Sequence, residues 1–530
     1  MNSIRKKAVV AMVALASVLG ATGCTDLLIE PKSTVTGANI FDDADSYRAF
    51  LAKLYAGLAV TGQQGPAGSS DIEGIDEGFG QYIRGLWQLQ ELPTEEAVIG
   101  WGDAGLPELV TMEWASSNQF VTAMYYRIFY QITLANEFLR ETADARLDER
   151  GVTPELRAQI QQYRAEARWL RALSYWHALD LFGDIPLVDE NFTIGATPPE
   201  QASRADVFAF VESELLDIRD ELPAVGAGEY GRADQGAAAM VLAKLYLNAE
   251  AYGVGARYGD ALTEAGIVAE GPYQLEDEYL HLFLADNHTS PELVFAVPFD
   301  GTNTQTWGGT TFLVAAALGG DMDQSEYGTV EKWYGLRVTP EFVSLFEGGA
   351  NGPDDRSDIL YTSGQRLEVG ALGEFTDGYA YPKYRNISSQ GVSGSHGTHS
   401  DTDFPMFRLA DAYLMYAEAC LRNGGGDCES TALGYVNEIR ERAYGDESGN
   451  IAAGDLTLDF LLDERARELA WEAHRRTDLV RFGVFTSGER LWAWKGGVEE
   501  GQEVGDHRAL YPIPATEMIA NPNLTQNPGY

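Results

Sequence analysis

The chain has 530 residues, with 80 Asp and Glu against 38 Lys and Arg, for a formal charge of −42. A field of that sign repels phosphate backbones and anionic headgroups, which excludes nucleic acid as a natural partner. A hydrophobic share of 45% excludes a disordered chain and suffices for a large core.

The first element is a leader. Arg5, Lys6 and Lys7 precede an apolar run over residues 8–19, too short to span a bilayer core of about 30 Å. Ala21, Thr22 and Gly23 then lead to Cys24, the layout of a secretory signal peptide over residues 1–23. A small residue directly before a cysteine also resembles a bacterial lipobox, with Ala21 standing where leucine is usual. On that reading Cys24 becomes the first residue of the mature chain and carries lipid. The alternative is an ordinary cleaved leader with a plain cysteine. No later stretch is apolar for 18 residues without charge, so Cys24 is the one membrane attachment the sequence offers. Cys420 and Cys428 lie in "ACLRNGGGDC". In an exported protein they form either a disulfide or two free thiols.

Helical periodicity comes next. In residues 163–188, Arg164, Arg168 and Arg171 make a polar stripe, while Trp169, Leu170, Leu173, Trp176 and Leu179 cover other faces. Gly183 and Pro186 stop the helix. Residues 231–252 are rich in Ala and Leu. "ELVFAVPFD" (292–300) reads as a short strand. Residues 406–422 put Leu409, Ala412, Tyr413, Tyr416 and Ala419 on one helical face. Residues 461–483 do the same with Leu462, Ala466, Leu469, Ala470 and Ala473, with Glu472 spaced to pair with Arg476. Stretches 61–74, 348–358 and 388–403 are loops by their Gly, Ser and Asp content. The expected fold is mostly α: a tetratricopeptide-like helical scaffold with long irregular loops and minor β structure, without a strict 34-residue period.

Enzyme and metal motifs find little support. GxxxxGK[ST], HExxH and GxSxG are absent from the sequence, and no cofactor is expected. Glu95 and Glu96 are adjacent, but neighbouring side chains point apart and do not supply the separation a glycosidase needs. His396, His399 and Asp401 make a conceivable metal site in a loop read as solvated and without a fixed scaffold. Residues 319–326 carry calcium-type oxygens without an EF-hand pattern. No metal is expected.

Five stretches together carry a resemblance. "AEARWLRALSYWHALDLFGDIPLV" (165–188), "FPMFRLADAYLMYAEACLR" (404–422), "ERARELAWEAHRRTDLVRFG" (464–483), the tail "YPIPATEMIANPNLTQNPGY" (511–530) and the leader with "CTDLLIEP" occur in the order seen in the SusD/RagB family. The chain is identified as a member of that family on these motifs. The resemblance implies one SusD-like domain over 24–530. Tetratricopeptide-like helices would fall within about 40–60, 120–250 and 405–485, and a loop-rich ligand-binding portion over about 61–115 and 270–403. It also implies a non-enzymatic lipoprotein at the outer-membrane surface, anchored at Cys24. Such a protein captures an oligosaccharide or polysaccharide and delivers it to a SusC-like TonB-dependent transporter. A peptide-binding RagB-type cargo and a non-binding assembly module are the alternatives.

Sugar rings present flat C–H faces, so loop aromatics are the candidates for contact. Trp169, Trp176 and Trp471 sit in helical patterns and read as core, as do Trp87 and Trp114. Trp101, beside Asp103 in "IGWGDAG", is a loop residue. Starch-binding members have a longer loop there with more tryptophan, and this chain keeps one. Trp307 lies in "DGTNTQTWGG" with Asn303 and Gln305. The expected ligand-binding set is Trp101, Asp103, Asn303, Gln305 and Trp307. Trp333 and Tyr334 read as a structural segment, and Trp492 or Trp494 as a lesser candidate for exposure.

Overall fold

Half of the longer helices begin at a side-chain cap. Of the longer helices, α1 covers Ala44–Ala59 and α2 Tyr82–Glu91, the latter capped by Gln81. Asn118 accepts the Phe120 and Val121 N–H groups ahead of α3 (Gln119–Glu141). Thr153 caps α4 (Pro154–Phe182), which opens on proline and ends at Gly183 with φ 77°. Ser203 and Asp206 form a capping box for α5 (Arg204–Ile218), and Asp234 caps α6 (Gln235–Leu247). Then come α7 (Tyr258–Ala269), α8 (Gly309–Ala316), α9 (Leu409–Arg422), α10 (Glu429–Tyr444), α11 (Leu458–Leu469) and α12 (Arg475–Arg481). This computed structural model describes residues 41 and 44–530, except 63, 67, 69, 73, 193, 194 and 196. Cys24 and the leader lie outside the described residues.

Neighbours in sequence pack as pairs: α3 on α4, α4 on α5, α6 on α7 and α9 on α10, while α7 also packs on α9. That is the mostly helical, tetratricopeptide-like architecture expected. The Arg stripe of α4 turns out to face protein. Arg168 and Arg171 both reach Glu214 on α5, and Arg171 also pairs with Glu190. Cys420 and Cys428 are joined as a disulfide with Cα atoms 5.9 Å apart, which clamps the turn from α9 to α10. Residues 48–530 form one compact unit.

Strands are short and antiparallel. β1 (Val98–Ile99) pairs with β5 (Leu336–Arg337), β2 (Ile185–Pro186) with β3 (Gln201–Ala202), and β4 (Leu293–Val297) with β6 (Phe404–Arg408). Residues 406–408 therefore belong to β6, and the helix expected over 406–422 starts at Leu409.

The helix expected over 461–483 is broken. α11 stops at Leu469, and Trp471 and Ala473 take positive φ (both 65°) before α12 begins. The break gives each of the next residues a better partner than the helix would. Trp471 turns into the core, edge-on to Trp87 at 5.3 Å. Glu472 does not pair with Arg476; its carboxylate goes to Arg408 and Lys383, while Arg476 reaches Asp180 at 3.0 Å. Burial of charge without a partner costs several kcal/mol, and this rearrangement satisfies five buried ionic groups. Trp87, Trp114, Trp169, Trp176 and Trp471 are core residues as expected. Trp492 is buried too, and Trp494 is half-buried with its Nε1 donating to Val369.

Candidate functional site: an aromatic arc on three loops

The β1–β5 ladder sets the site. Its register places Val98 opposite Arg337 and Ile99 opposite Leu336, and the Gly100 N–H extends it to the Gly335 carbonyl at 2.9 Å. The residues just outside the ladder, Trp101 and Trp333, therefore come side by side. Trp101 Nε1 donates to the Trp333 carbonyl at 2.9 Å, and the ring centres lie 6.2 Å apart. Gly335 is needed for this approach, because a Cβ there would stand 2.8 Å from the Trp101 ring. The 333–335 strip is held from beneath by α8: the Trp333 and Gly335 N–H groups donate to the Ala315 and Ala316 carbonyls, each at 2.9 Å.

Trp307, just before α8, stands on the other side of Trp333 with ring centres 6.0 Å apart. The order is thus Trp101, Trp333, Trp307. Successive rings are tilted by 52° and 51°, and all three are half-buried. Indoles tilted this way do not form one flat shelf.

Arg84 on α2 lies beneath the arc. Its guanidinium sits over the rings of Phe312 (4.3 Å), Phe79 (4.6 Å) and Trp101 (5.7 Å), and its Nη1 donates to the Trp307 carbonyl at 3.0 Å. Burial pulls its pKa down to about 9, opposed by Asp76, Asp103 and Glu77. Asp103 itself is exposed one residue beyond Gly102. Glu77 accepts from Thr61 and Thr306, and burial raises its pKa.

Asn303 and Gln305 are partly committed to their own turn. Asn303 Nδ2 donates to Asp300 at 2.6 Å and Gln305 Nε2 to the Gly301 carbonyl at 2.9 Å. What each can offer a ligand is its amide oxygen. The structure thus brings Trp101 and Trp307 to the two positions that neighbour Trp333, with Asp103 exposed two residues after Trp101 and Asn303 and Gln305 on the turn that leads to Trp307. Sequence reasoning passed over Trp333, the middle ring, and over Arg84. A signal was present: Trp101-Gly102, Trp307-Gly308 and Trp333-Tyr334-Gly335 each set an indole beside a glycine that permits close packing.

Other sequence candidates fall elsewhere. Glu95 and Glu96 are buried. Glu95 pairs with Arg475, and Glu96 accepts the Trp471 N–H at 3.2 Å. The 395–401 loop is a built turn, contrary to the expected solvated loop: Asp401 accepts from Gly301 and Ser395, and His399 is only 4% exposed. Asp323, in the 319–326 stretch, spends its carboxylate on Ser325. Among the described residues no cluster of His, Cys, Asp or Glu has the makings of a metal site, and no helix is long and apolar enough to cross a membrane.

A scaffold of helix pairs that carries long irregular loops is a class of fold, and comparison places the chain in a family within it. Residues 370–530 match the model of the SusD family. The starch-binding protein SusD of Bacteroides thetaiotaomicron is 34% identical, with 96% of each chain covered. A solved SusD homologue from the same species superposes with a TM-score of 0.72 at 21% identity, covering 93% of this chain and 98% of the other. Surface glycan-binding protein A of that species, solved with laminarihexaose, gives 0.69 at 18% identity, covering 91% and 99%. The chain belongs to the SusD family.

Proposed function

We propose that this protein captures a glycan at the outer-membrane surface, tethered by lipid at Cys24, and passes it to a SusC-like TonB-dependent transporter. The observation that carries the reading is the arc of Trp101, Trp333 and Trp307. Three tilted rings at about one ring spacing suit successive sugar faces of a chain that bends. A coiled α-glucan or a curved β-1,3-glucan matches that shape better than a flat β-1,4 chain, and the relatives named for starch binding and solved with laminarihexaose point to the same classes. Asp103 and the amide oxygens of Asn303 and Gln305 supply acceptors for hydroxyl groups at the rim.

Binding without cleavage is part of the proposal. Glu95 and Glu96, the adjacent carboxylates nearest a possible glycan loop, are buried against Arg475 and Trp471 and have no route to a sugar. The test is affinity electrophoresis of the chain begun after Cys24, against amylopectin, laminarin and a soluble cellulose derivative, beside Trp101→Ala and Trp307→Ala. Retardation by a curved glucan that is lost in both variants, with no reducing sugar released, supports capture at the arc. Retardation that survives both variants removes the arc, and no retardation by any glycan removes the glycan and favours peptide cargo.

A further inference from the structure

Resting on that reading, we propose that His396 and His399 are positioning residues for the arc, and that the unprotonated Nδ1 of His396 keeps the arc in its binding geometry.

The geometry starts at His396. Its Nδ1 accepts two backbone hydrogen bonds at once, from the Thr398 and His399 N–H groups, each at 3.1 Å. An imidazole nitrogen accepts only when it carries no proton. The residue is fixed from behind: Asn386 Nδ2 donates to its carbonyl at 2.9 Å, and Asn386 Oδ1 accepts the Asp401 N–H at 2.8 Å. The two bonds to Nδ1 therefore close a tight turn whose ends are both anchored.

The turn then supports two of the three indoles by separate routes. His399 stacks on His396 with centres 5.0 Å apart and lies 4.9 Å from the Trp307 ring. Its Nδ1 donates to the Thr306 carbonyl at 3.1 Å, which fixes the residue preceding Trp307. Thr398 Oγ1 donates to Glu331 at 3.2 Å, and the other oxygen of that carboxylate accepts Trp333 Nε1 at 3.1 Å. One turn thus holds Trp307 through an imidazole and Trp333 through a carboxylate.

A proton placed on His396 Nδ1 changes an acceptor of two bonds into a donor facing two donors. Both bonds are lost, the turn opens, and the supports of Trp307 and Trp333 loosen together. The charged and titratable groups around the turn are His399 against the ring, Asp401 beside Gly301, and Glu331 from the strip that carries Trp333. Burial holds His399 itself below the usual histidine range.

Two readouts test this between pH 7.5 and 5.0, the range in which imidazoles take up a proton. The first is ligand-free tryptophan emission. The wild type is expected to show a reversible change on acidification that is absent in His396→Asn, whose amide oxygen replaces the acceptor without titrating, and much reduced in Trp307→Phe. The second is affinity for the glycan that the wild type retains at pH 7.5. It should fall about fivefold or more with acid in the wild type, stay level in His396→Asn, and be weak at every pH in His396→Phe. A flat emission profile in the wild type, or an acid change in His396→Asn equal to that of the wild type, overturns the proposal. If no glycan binds at pH 7.5, the capture reading fails, and the emission series still decides the role of the turn.

Discussion

Arg84 donates to the main-chain carbonyl of Trp307 across 223 residues of sequence, at 3.0 Å and from a side chain that is almost wholly buried. A buried arginine that meets no carboxylate at salt-bridge distance among the described residues is costly, and this one is held by three aromatic faces and a carbonyl. The arrangement fixes the height of Trp307 relative to Trp101, since the same guanidinium lies over the Trp101 ring.

Arg84→Met keeps the apolar volume and removes the donor. A hydrogen bond from a charged group contributes about 1.5–3 kcal/mol, part of which appears as binding geometry. The expected result is a loss of glycan affinity of about tenfold, by calorimetry, with the helical circular dichroism unchanged. Wild-type affinity in this variant would show that the arc does not depend on Arg84.

Trp333 touches both of its neighbours, whereas Trp101 and Trp307 each touch one indole of the arc. Removing the middle ring takes away one sugar contact and also the ring against which both outer indoles pack, at 6.2 and 6.0 Å, while the main-chain acceptor for Trp101 Nε1 remains. Trp333→Ala should therefore weaken binding more than either outer substitution. The loss should be on the order of 30–100-fold, the sum of two aromatic contacts worth about 0.5–1.5 kcal/mol each beyond area. Equal losses for all three variants would mean the rings act independently.

This central ring shows what the sequence could and could not reveal. The core tryptophans, the helix starts and the family motifs are local patterns, and residues such as Trp169 and Thr153 announce themselves by period and cap. The outer rings Trp101 and Trp307 were legible because each sits among glycines and polar residues. Trp333 was not, because its place depends on a two-residue ladder between segments more than 230 positions apart. The break after Leu469 was hidden for a related reason. The apolar period runs on through Ala473, while the partners that pull the chain out of the helix, Arg408, Lys383 and Asp180, come from distant segments.

Stability should fall as pH rises from the unfolded carboxyl range toward neutrality because of Glu91. Burial raises its pKa to about 7, and burial likewise raises that of its neighbour Glu96. The unfolded carboxyl loses its proton near pH 4.3, so between there and about 7 the folded state binds more protons. The stabilising contribution is then full below the unfolded pKa and is lost as pH climbs to the folded one. Glu91→Gln keeps an acceptor for the His474 N–H and cannot ionise. Its melting temperature should exceed that of the wild type by roughly 1–2 °C at pH 8 and match it at pH 5. An equal difference at both pH values would show that Glu91 does not titrate in this window.

Arg408, like Arg356, is a buried arginine that meets three carboxylates. At the end of β6 its guanidinium meets Glu292 at 2.7 Å and Glu468 and Glu472 at 2.6 Å each, all fully buried. These acids come from separate stretches, so the arginine joins the β4 side of the fold to α11 and to the turn after it. Its partners are tuned to it: nearby guanidiniums overcome burial and hold Glu468 at about 2. Arg408→Met fills similar space but leaves the three carboxylates without their shared cation. Lys383 remains on Glu472 and Arg442 on Glu292 and Glu468, so part of the charge is still met. Removing one partner of a buried pair costs about 3–5 kcal/mol, and a chain stable by about 5–15 kcal/mol survives that only narrowly. The expected outcome is a sharply reduced soluble yield and a midpoint shifted to lower denaturant. Glu472→Gln added to Arg408→Met should restore part of the loss, because it removes one of the orphaned charges. If the double variant is less stable than the single one, Glu472 contributes through its hydrogen bonds and not through the charge that Arg408 neutralises.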